Sequence, residues 1–332
     1  MKIIFDLRRV GLGNNGGSLT LIKSGNALVD MGHDVYFVDG GSNQHTWAKL
    51  NAEHIVVKRN NKIPDADVII ATGYKSVATT VSAPSRCGLK AHYIRGWETW
   101  QMPEKKIVKS ILSAPTLKIV NSLCLKDKLK FYNIDSFIIR PGYDFEDLFP
   151  MNCRNRKNKN FTVIGGLYTK GKHEKIKRTS WIFNTYDYLK KKHKVKLWMF
   201  GNEPIPNKMV DEYFLSPSKV YKNSFYNSVD IWLAPAMQEG LHMPPAEAML
   251  TECPVVATSA PMSGTQDYML HKSTGLVSDD NINSFIKCAE KLCIDIEERK
   301  QMGKNARERI LNIGSRKQNM QKLVDYILEK TS

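Results

Sequence analysis

Cysteine is scarce and scattered, six in 332 residues with no C-x-x-C pair. Neither a disulfide framework nor a thiolate zinc site fits that spacing, so reduced core thiols are expected. Long apolar runs are missing as well; none approaches the ~18 residues that a membrane-spanning helix needs. The opening MKIIFDLRRVGLG has only Ile3, Ile4 and Phe5 before charge returns, which suits a buried strand and not a secretory signal. Internal repeats and low-complexity tracts are also lacking. Acidic residues are in deficit, 33 against 49 Lys and Arg, for a formal charge of +16. Such an excess favours an anionic partner: phosphate esters, an acidic membrane surface or nucleic acid. No helix-turn-helix, zinc or RNA-recognition signature accompanies it, so specific nucleic-acid binding is not expected. The expectation is a soluble, cytoplasmic chain of two domains.

What is present is a regular alternation of strands and helices. Strands are expected at Lys2–Asp6, Asp34–Val38, His54–Val57, Asp67–Ala71, Lys90–Ile94, Lys118–Val120 and Ser136–Ile139. A second series follows at Phe161–Gly165, Val195–Phe200, Asp230–Ala234, Pro254–Ala257 and Gly275–Val277. Several are apolar throughout, as strands covered on both faces must be. Helical spacing marks Ser18–Met31, closed by Gly32, and Thr179–Lys190, and the tail Ile282–Lys330 reads as consecutive helices. Two successive series predict two doubly wound parallel sheets. The polar, aperiodic stretch Met151–Asn160 reads as the linker, dividing the chain into 1–150 and 151–332. The last helix is a candidate to pack back on the first domain. Met151–Lys196 holds 14 basic residues against Glu174 and Asp187 alone.

The chemistry concentrates in Leu233–Val256, LAPAMQEGLHMPPAEAMLTECPVV. A buried strand ends in a loop carrying Glu239 and Gly240, and Pro244 and Pro245 suit a helix start. Glu247 follows eight residues after Glu239, one turn into that helix. Free backbone N–H groups near Leu241, His242 and Met243 would then suit a phosphate or diphosphate. The two carboxylates suit vicinal hydroxyls, each oxygen accepting from one. Alone, the pair would read as a dipole-complementing residue and a solvated one.

The surroundings decide otherwise. EGLHMPPAEAM followed by PVVATSA resembles the E-x7-E donor site of retaining family-four glycosyltransferases, matching at Glu239, Gly240, Pro244, Pro245, Glu247, Ala248 and Met249. Gly16-Gly17-Ser18, a helix and then Met31-Gly32-His33-Asp34-Val35 is similar to the opening of that family. Arg140-Pro141-Gly142-Tyr143-Asp144 is similar to the end of its first domain. Asp267, ahead of Thr274-Gly275-Leu276-Val277, falls where the family has an acidic residue. The resemblance implies a GT-B fold, two Rossmann-like α/β domains facing a cleft with a helical C-terminal tail. It implies an acceptor-side first domain and a second domain binding a nucleotide-sugar donor. Glu247 would hold the ribose and Glu239 the transferred sugar, with Gly17 close to donor and acceptor. No cofactor and no metal is expected. A glycan or glycolipid acceptor is implied, with peripheral contact to an anionic membrane through Lys105, Lys106 and Lys109.

The departures shape the remaining expectations. Gly166 stands where the family has an arginine gripping the diphosphate, and the loop Leu167–Lys177 is longer than usual. Lys177 best matches the family lysine, Arg178 or Lys172 would replace the arginine, and Lys170 is a further rival. Arg95 and Glu98, after the strand Lys90–Ile94, stand where many members place a catalytic histidine; His92 is read as a satisfied core residue. His242 replaces a family glycine and would touch the donor sugar. Asp65-Ala66-Asp67 has metal-binding spacing but precedes a buried strand after Pro64, so a turn is expected. Gly11-x-Gly13-x-x-Gly16 has dinucleotide spacing, with Asp34 or Asp39 as ribose acids, but is weak by itself. A sugar-nucleotide epimerase or hydrolase on the same fold is the alternative reading, with a nicotinamide oxidoreductase behind it.

Overall fold

The computed structural model describes residues 1–41, 47–57, 63–151, 160–206 and 209–331, without the side chain of Lys172. The chain forms two compact units, Met1–Gly142 with Ser315–Ser332, and Tyr143–Gly314.

The first unit has strands β1 (Lys2–Asp6), β2 (Asp34–Asp39), β3 (Glu53–Val56), β4 (Val68–Ala71), β5 (Leu89–Ile94), β6 (Leu117–Val120) and β7 (Phe137–Ile138). Its helices are α1 (Gly16–Asp30), α2 (Val77–Val81), α3 (Glu104–Lys106), α4 (Leu123–Phe131) and the last of the chain, α11 (Arg316–Thr331). Among the described residues the sheet order is β3-β2-β1-β4-β5-β6-β7, with every pairing parallel. The Asn15 side chain starts α1 by accepting from the Ser18 N–H at 2.9 Å. Gly25 lets α1 press on β2, since a Cβ there would lie 2.4 Å from the Phe37 ring. Met320, Leu323, Val324 and Ile327 of α11 share one core with Ile3, Phe5, Leu21 and Leu28.

The second unit has β8 (Thr162–Leu167), β9 (Val195–Gly201), β10 (Glu212–Leu215), β11 (Ile231–Ala234), β12 (Val255–Thr258) and β13 (Gly275–Ser278). Its helices are α5 (Lys172–Lys177), α6 (Thr179–Leu189), α7 (Lys219–Ser228), α8 (Met243–Leu250), α9 (Ile282–Ile294) and α10 (Ile296–Ile313). Among the described residues its order is β10-β9-β8-β11-β12-β13, again all parallel. The strand order reverses beside β8, so the segments after β8 and β11 leave from the carboxyl ends at the reversal. In such sheets that is where ligands bind.

Three differences from the sequence reading have physical reasons. Strand β10 was not anticipated: it is a four-residue edge strand exposed at both ends, and its apolar run, Tyr213–Leu215, is only three residues long. The expected loop Leu167–Lys177 instead contains α5, which stops where Arg178 takes a left-handed φ of 53°. The chain also leaves the first unit at residue 142, before the expected 150. Gly142, at φ +71°, lies so close to Ser315 and Arg316 that a Cβ would come 2.4 Å from the Ser315 carbonyl. Tyr143 and Leu148 then enter the core of the second unit, while the Phe149 and Met151 N–H groups donate to Asn223 and Asn227 on α7. The proposed linker itself lies almost wholly outside the described residues, as does Cys153. Cys87, Cys124, Cys253, Cys288 and Cys293 are free thiols.

Candidate active site

The loop after β11 is pinned from one side. The Glu239 N–H donates to the Met262 carbonyl at 2.7 Å and the His242 N–H to the Gly264 carbonyl at 3.1 Å. The Tyr268 hydroxyl donates to the His242 carbonyl at 2.6 Å. Only glycine fits at 264, where φ is +73° and a Cβ would lie 2.8 Å from that of Glu239. From the other side the Met237 N–H donates to the Ile176 carbonyl at 2.9 Å, tying the loop to α5.

That tie sets the central pair. Lys177, the last residue of α5, donates its ammonium to Glu239 Oε1. His242 Nε2 lies 3.8 Å from the same oxygen, and the His242 side chain is 5% exposed. Burial by itself would push the Glu239 carboxyl up, but the Lys177 charge beside it outweighs that and holds it below the usual range. Burial drives the His242 imidazole the other way, down to about 4 against the pull of Glu239, so it is neutral at pH 7. Among the described residues its buried Nδ1 has no hydrogen-bond partner.

The expected row of free N–H groups is shorter than the sequence suggested. The His242 N–H is committed to Gly264, and Pro244 and Pro245 have none, which leaves Leu241 and Met243 as donors. Glu247 is the fifth residue of α8, so it opens the second turn and does not sit in the first. Its Oε2 accepts from the buried Tyr226 hydroxyl at 2.8 Å and lies 3.6 Å from Lys222 Nζ.

The basic residues separate. Arg178 turns from Lys177 and pairs through both terminal nitrogens with Asp280, its guanidinium 4.3 Å from the centre of the Trp181 ring. Lys170 and Lys175 are exposed, and the Lys172 side chain lies outside the described residues. Gly166 is a packed strand residue: a Cβ would come 2.7 Å from Ile182 Cδ1, so no arginine fits there.

In the first unit, Arg95 follows β5 and donates to the carbonyls of Gly17 at 2.6 Å and Thr72 at 3.0 Å. Glu98 accepts the Tyr74 N–H at 3.3 Å, and burial raises its carboxyl above the usual range despite that bond and the nearby Arg95. Gly17, Arg95 and Glu98 thus gather around the ends of β4 and β5 and the start of α1. His92 is a core residue but not a satisfied one: among the described residues neither buried ring nitrogen has a hydrogen-bond partner, and burial drives its value down to about 3. Asp67 accepts the Lys2 N–H at 2.7 Å and Asp65 pairs with Arg86, so both serve the turn. Among the described residues no group of three or more His, Cys, Asp and Glu is placed to hold a metal ion. Nor, among them, is any helix long and apolar enough to cross a membrane.

Residues 159–295 match the family model of glycosyl transferases, group 1. The matched segment holds Lys177, Glu239, His242 and Glu247. A capsular polysaccharide biosynthesis glycosyltransferase of Staphylococcus aureus is 28% identical over 169 residues, covering 47% of this chain and 42% of that protein. The chain therefore spans about two fifths of that relative's length. HepE of Anabaena, solved with UDP and glucose, superposes with a TM-score of 0.79 at 13% identity, covering 99% of this chain and 100% of that one. A variant of S. aureus TarM, solved with fondaparinux, α-GlcNAc-glycerol and UDP, gives 0.75 at 13%, covering 98% and 99%. These two structures share the fold, which is GT-B. The group 1 segment lies wholly within the second unit.

Sequence reasoning missed Tyr226, Lys222, Gly264, Tyr268 and Asp280. The i, i+4 spacing of Lys222 and Tyr226 was visible, but not that α7 packs on α8.

Proposed function

We propose that this chain is a retaining glycosyltransferase, moving a sugar from a nucleoside-diphosphate sugar to a hydroxyl of a glycan or glycolipid in surface-polysaccharide or related synthesis. The observation that carries it is the pairing of Lys177 with Glu239 at the reversal of the second sheet, eight residues before Glu247 on α8. Glu247 takes the ribose hydroxyls and Glu239 those of the transferred sugar. Lys177 and the N–H groups of Leu241 and Met243 meet the diphosphate, whose negative charge grows as it leaves. Donors already aimed at a developing anion need no reorganisation during the reaction. His242, neutral and held by Gly264 and Tyr268, offers the sugar a hydrogen-bonding ring where a glycine would offer none.

The acceptor oxygen bonds to the anomeric carbon as the bond from that carbon to the phosphate oxygen breaks. The acceptor proton passes to the departing phosphate on the same face, which retains configuration without a protein nucleophile. Arg95 and Glu98 in the first unit serve the acceptor. Lys177 supplies the cationic charge, so transfer needs no metal. The excess of 16 positive charges and the exposed Lys105, Lys106 and Lys109 support work at the cytoplasmic face of an anionic membrane. Flotation with acidic liposomes at low and high salt tests that location, and no binding at either refutes it. The relatives solved with UDP make UDP-sugars the first donors to try. Turnover of UDP-, GDP-, ADP- and dTDP-sugars, read as nucleoside-diphosphate release, tests the reaction; retention is read from the anomeric configuration of the product.

A further inference from the structure

The surroundings of Glu247 say more than that it binds a ribose. Lys222 and Tyr226 are four apart on α7, one helical turn, and their polar ends converge on one oxygen of that carboxylate. Tyr226 is fully buried against Phe200 and Trp232, with ring centres 5.8 and 5.3 Å away. Its hydroxyl is therefore fixed where it meets Oε2 at 2.8 Å. The Lys222 ammonium lies 5.4 Å from the Phe200 ring centre and 3.6 Å from Oε2. Among the described residues Oε1 has no partner, and the side chains of Lys222 and Glu247 remain 25% and 18% exposed.

The open part of the group is thus an acceptor, Oε1, beside a donor, the Lys222 ammonium. A carboxylate only accepts and an ammonium only donates. A vicinal diol matches both: one hydroxyl donates to Oε1 while the neighbouring oxygen accepts from Nζ. A lone carboxylate with both oxygens open would take two hydroxyls alike; here Tyr226 has already engaged one of them. We propose that Lys222 is the second half of the ribose diol site, a specificity-determining residue, and that Tyr226 is the positioning residue which turns Oε1 toward the diol. The assignment rests on the donor-site reading above. It predicts discrimination against nucleotides that lack one hydroxyl, because the missing group leaves Oε1 or Nζ without its partner. Sites built to hydrogen-bond a hydroxyl reject analogues lacking it far more strongly than apolar pockets reject a lost methylene.

The test is calorimetric titration of the full chain with UDP, GDP, ADP and CDP, and then with the 2′-deoxy and 3′-deoxy forms of whichever binds. The wild type should favour the ribonucleotide over at least one deoxy form by about tenfold or more, a lost charged hydrogen bond. Lys222→Met, which keeps an unbranched apolar side chain and removes the charge, should weaken the ribonucleotide by about that factor and leave the disfavoured deoxy form within about twofold. Tyr226→Phe should show the same pattern with a smaller loss, and Lys222→Arg should restore most of the discrimination. If Lys222→Met and Tyr226→Phe weaken ribo and deoxy forms equally, Lys222 is only a phosphate charge, Tyr226 only a core residue, and the proposal fails. Titration with dTDP, which has no 2′-hydroxyl, separates the two readings: if the wild type binds dTDP and none of the four ribonucleotides, the diol assignment fails and the donor-site reading stands; if it binds none of the five, the donor-site reading fails as well.

Discussion

Glu239 and Glu247 are eight residues apart, yet the fold gives them opposite kinds of partner. Glu239 sits on a loop and faces a full charge, the Lys177 ammonium, with His242 close by. Glu247 sits on a helix and accepts from a neutral, immovable phenol, with Lys222 further off. A phenol locked in a core stays where it is when substrate arrives. An ammonium on the last residue of a short helix is different: in the proposed function, a diphosphate would compete with Glu239 for it. On that proposal one carboxylate is held ready for binding, while the other is coupled to the group that would respond to a leaving phosphate.

Substitutions should separate the two. The largest effect is expected at Lys177. Lys177→Ala should lower turnover about 10²–10³-fold, roughly 3–4 kcal/mol of barrier, and weaken donor affinity far less. Lys175→Ala, on the exposed side of α5, should do little. Equal behaviour of the two in steady-state kinetics would remove the distinction between the carboxylates.

Next comes acid sensitivity at the Glu239 end. The His242 value of about 4 lies below the 6.5 of an unperturbed imidazole, so the unfolded chain takes up this proton first as pH falls. The contribution to stability is therefore full above pH 6.5 and is lost between 6.5 and 4, on the order of 3 kcal/mol. His242→Gln should flatten the dependence of unfolding free energy on pH in that window, leaving the part due to His92 and His33, whose values burial also lowers. An unchanged slope would mean that the ring takes up its proton without cost in the folded chain.

Glu247→Ala should have a smaller effect and a different signature. Affinity for the correct nucleoside diphosphate should fall by about 1–3 kcal/mol, with little change in turnover at saturating donor. Unaltered calorimetric affinity would remove the ribose role. The smallest expected effect is none: in the proposed mechanism Lys177 provides the cationic charge, so exhaustive EDTA should leave transfer unchanged. Loss of activity restored by manganese or magnesium would contradict that assignment.

Much of the fold was legible because parallel strands covered on both faces are nearly all apolar, as in Val68–Ala71 and Val255–Thr258. The edge strand Glu212–Leu215 was not, lacking that burial. The paired glutamates were legible by spacing and resemblance, as was Lys177. Arg178 was harder: its sequence position beside Lys177 suggested a shared task, but the left-handed residue between α5 and α6 swings its guanidinium to Asp280. Tyr226 and Lys222 could not be paired with Glu247 from sequence, since their meeting depends on how α7 packs on α8. Gly166 looked like a lost arginine, whereas contact with Ile182 explains the glycine.

The most direct measurement is donor turnover by the wild type beside Lys177→Ala and Glu247→Ala. Nucleoside diphosphate released from UDP-, GDP-, ADP- and dTDP-sugars would be followed as donor concentration is varied. One donor should be turned over by the wild type, with Lys177→Ala losing chiefly kcat and Glu247→Ala chiefly raising KM. Turnover of a nucleotide sugar that is indifferent to both substitutions would contradict that expectation, as would none with any donor across a broad set of glycan and glycolipid acceptors.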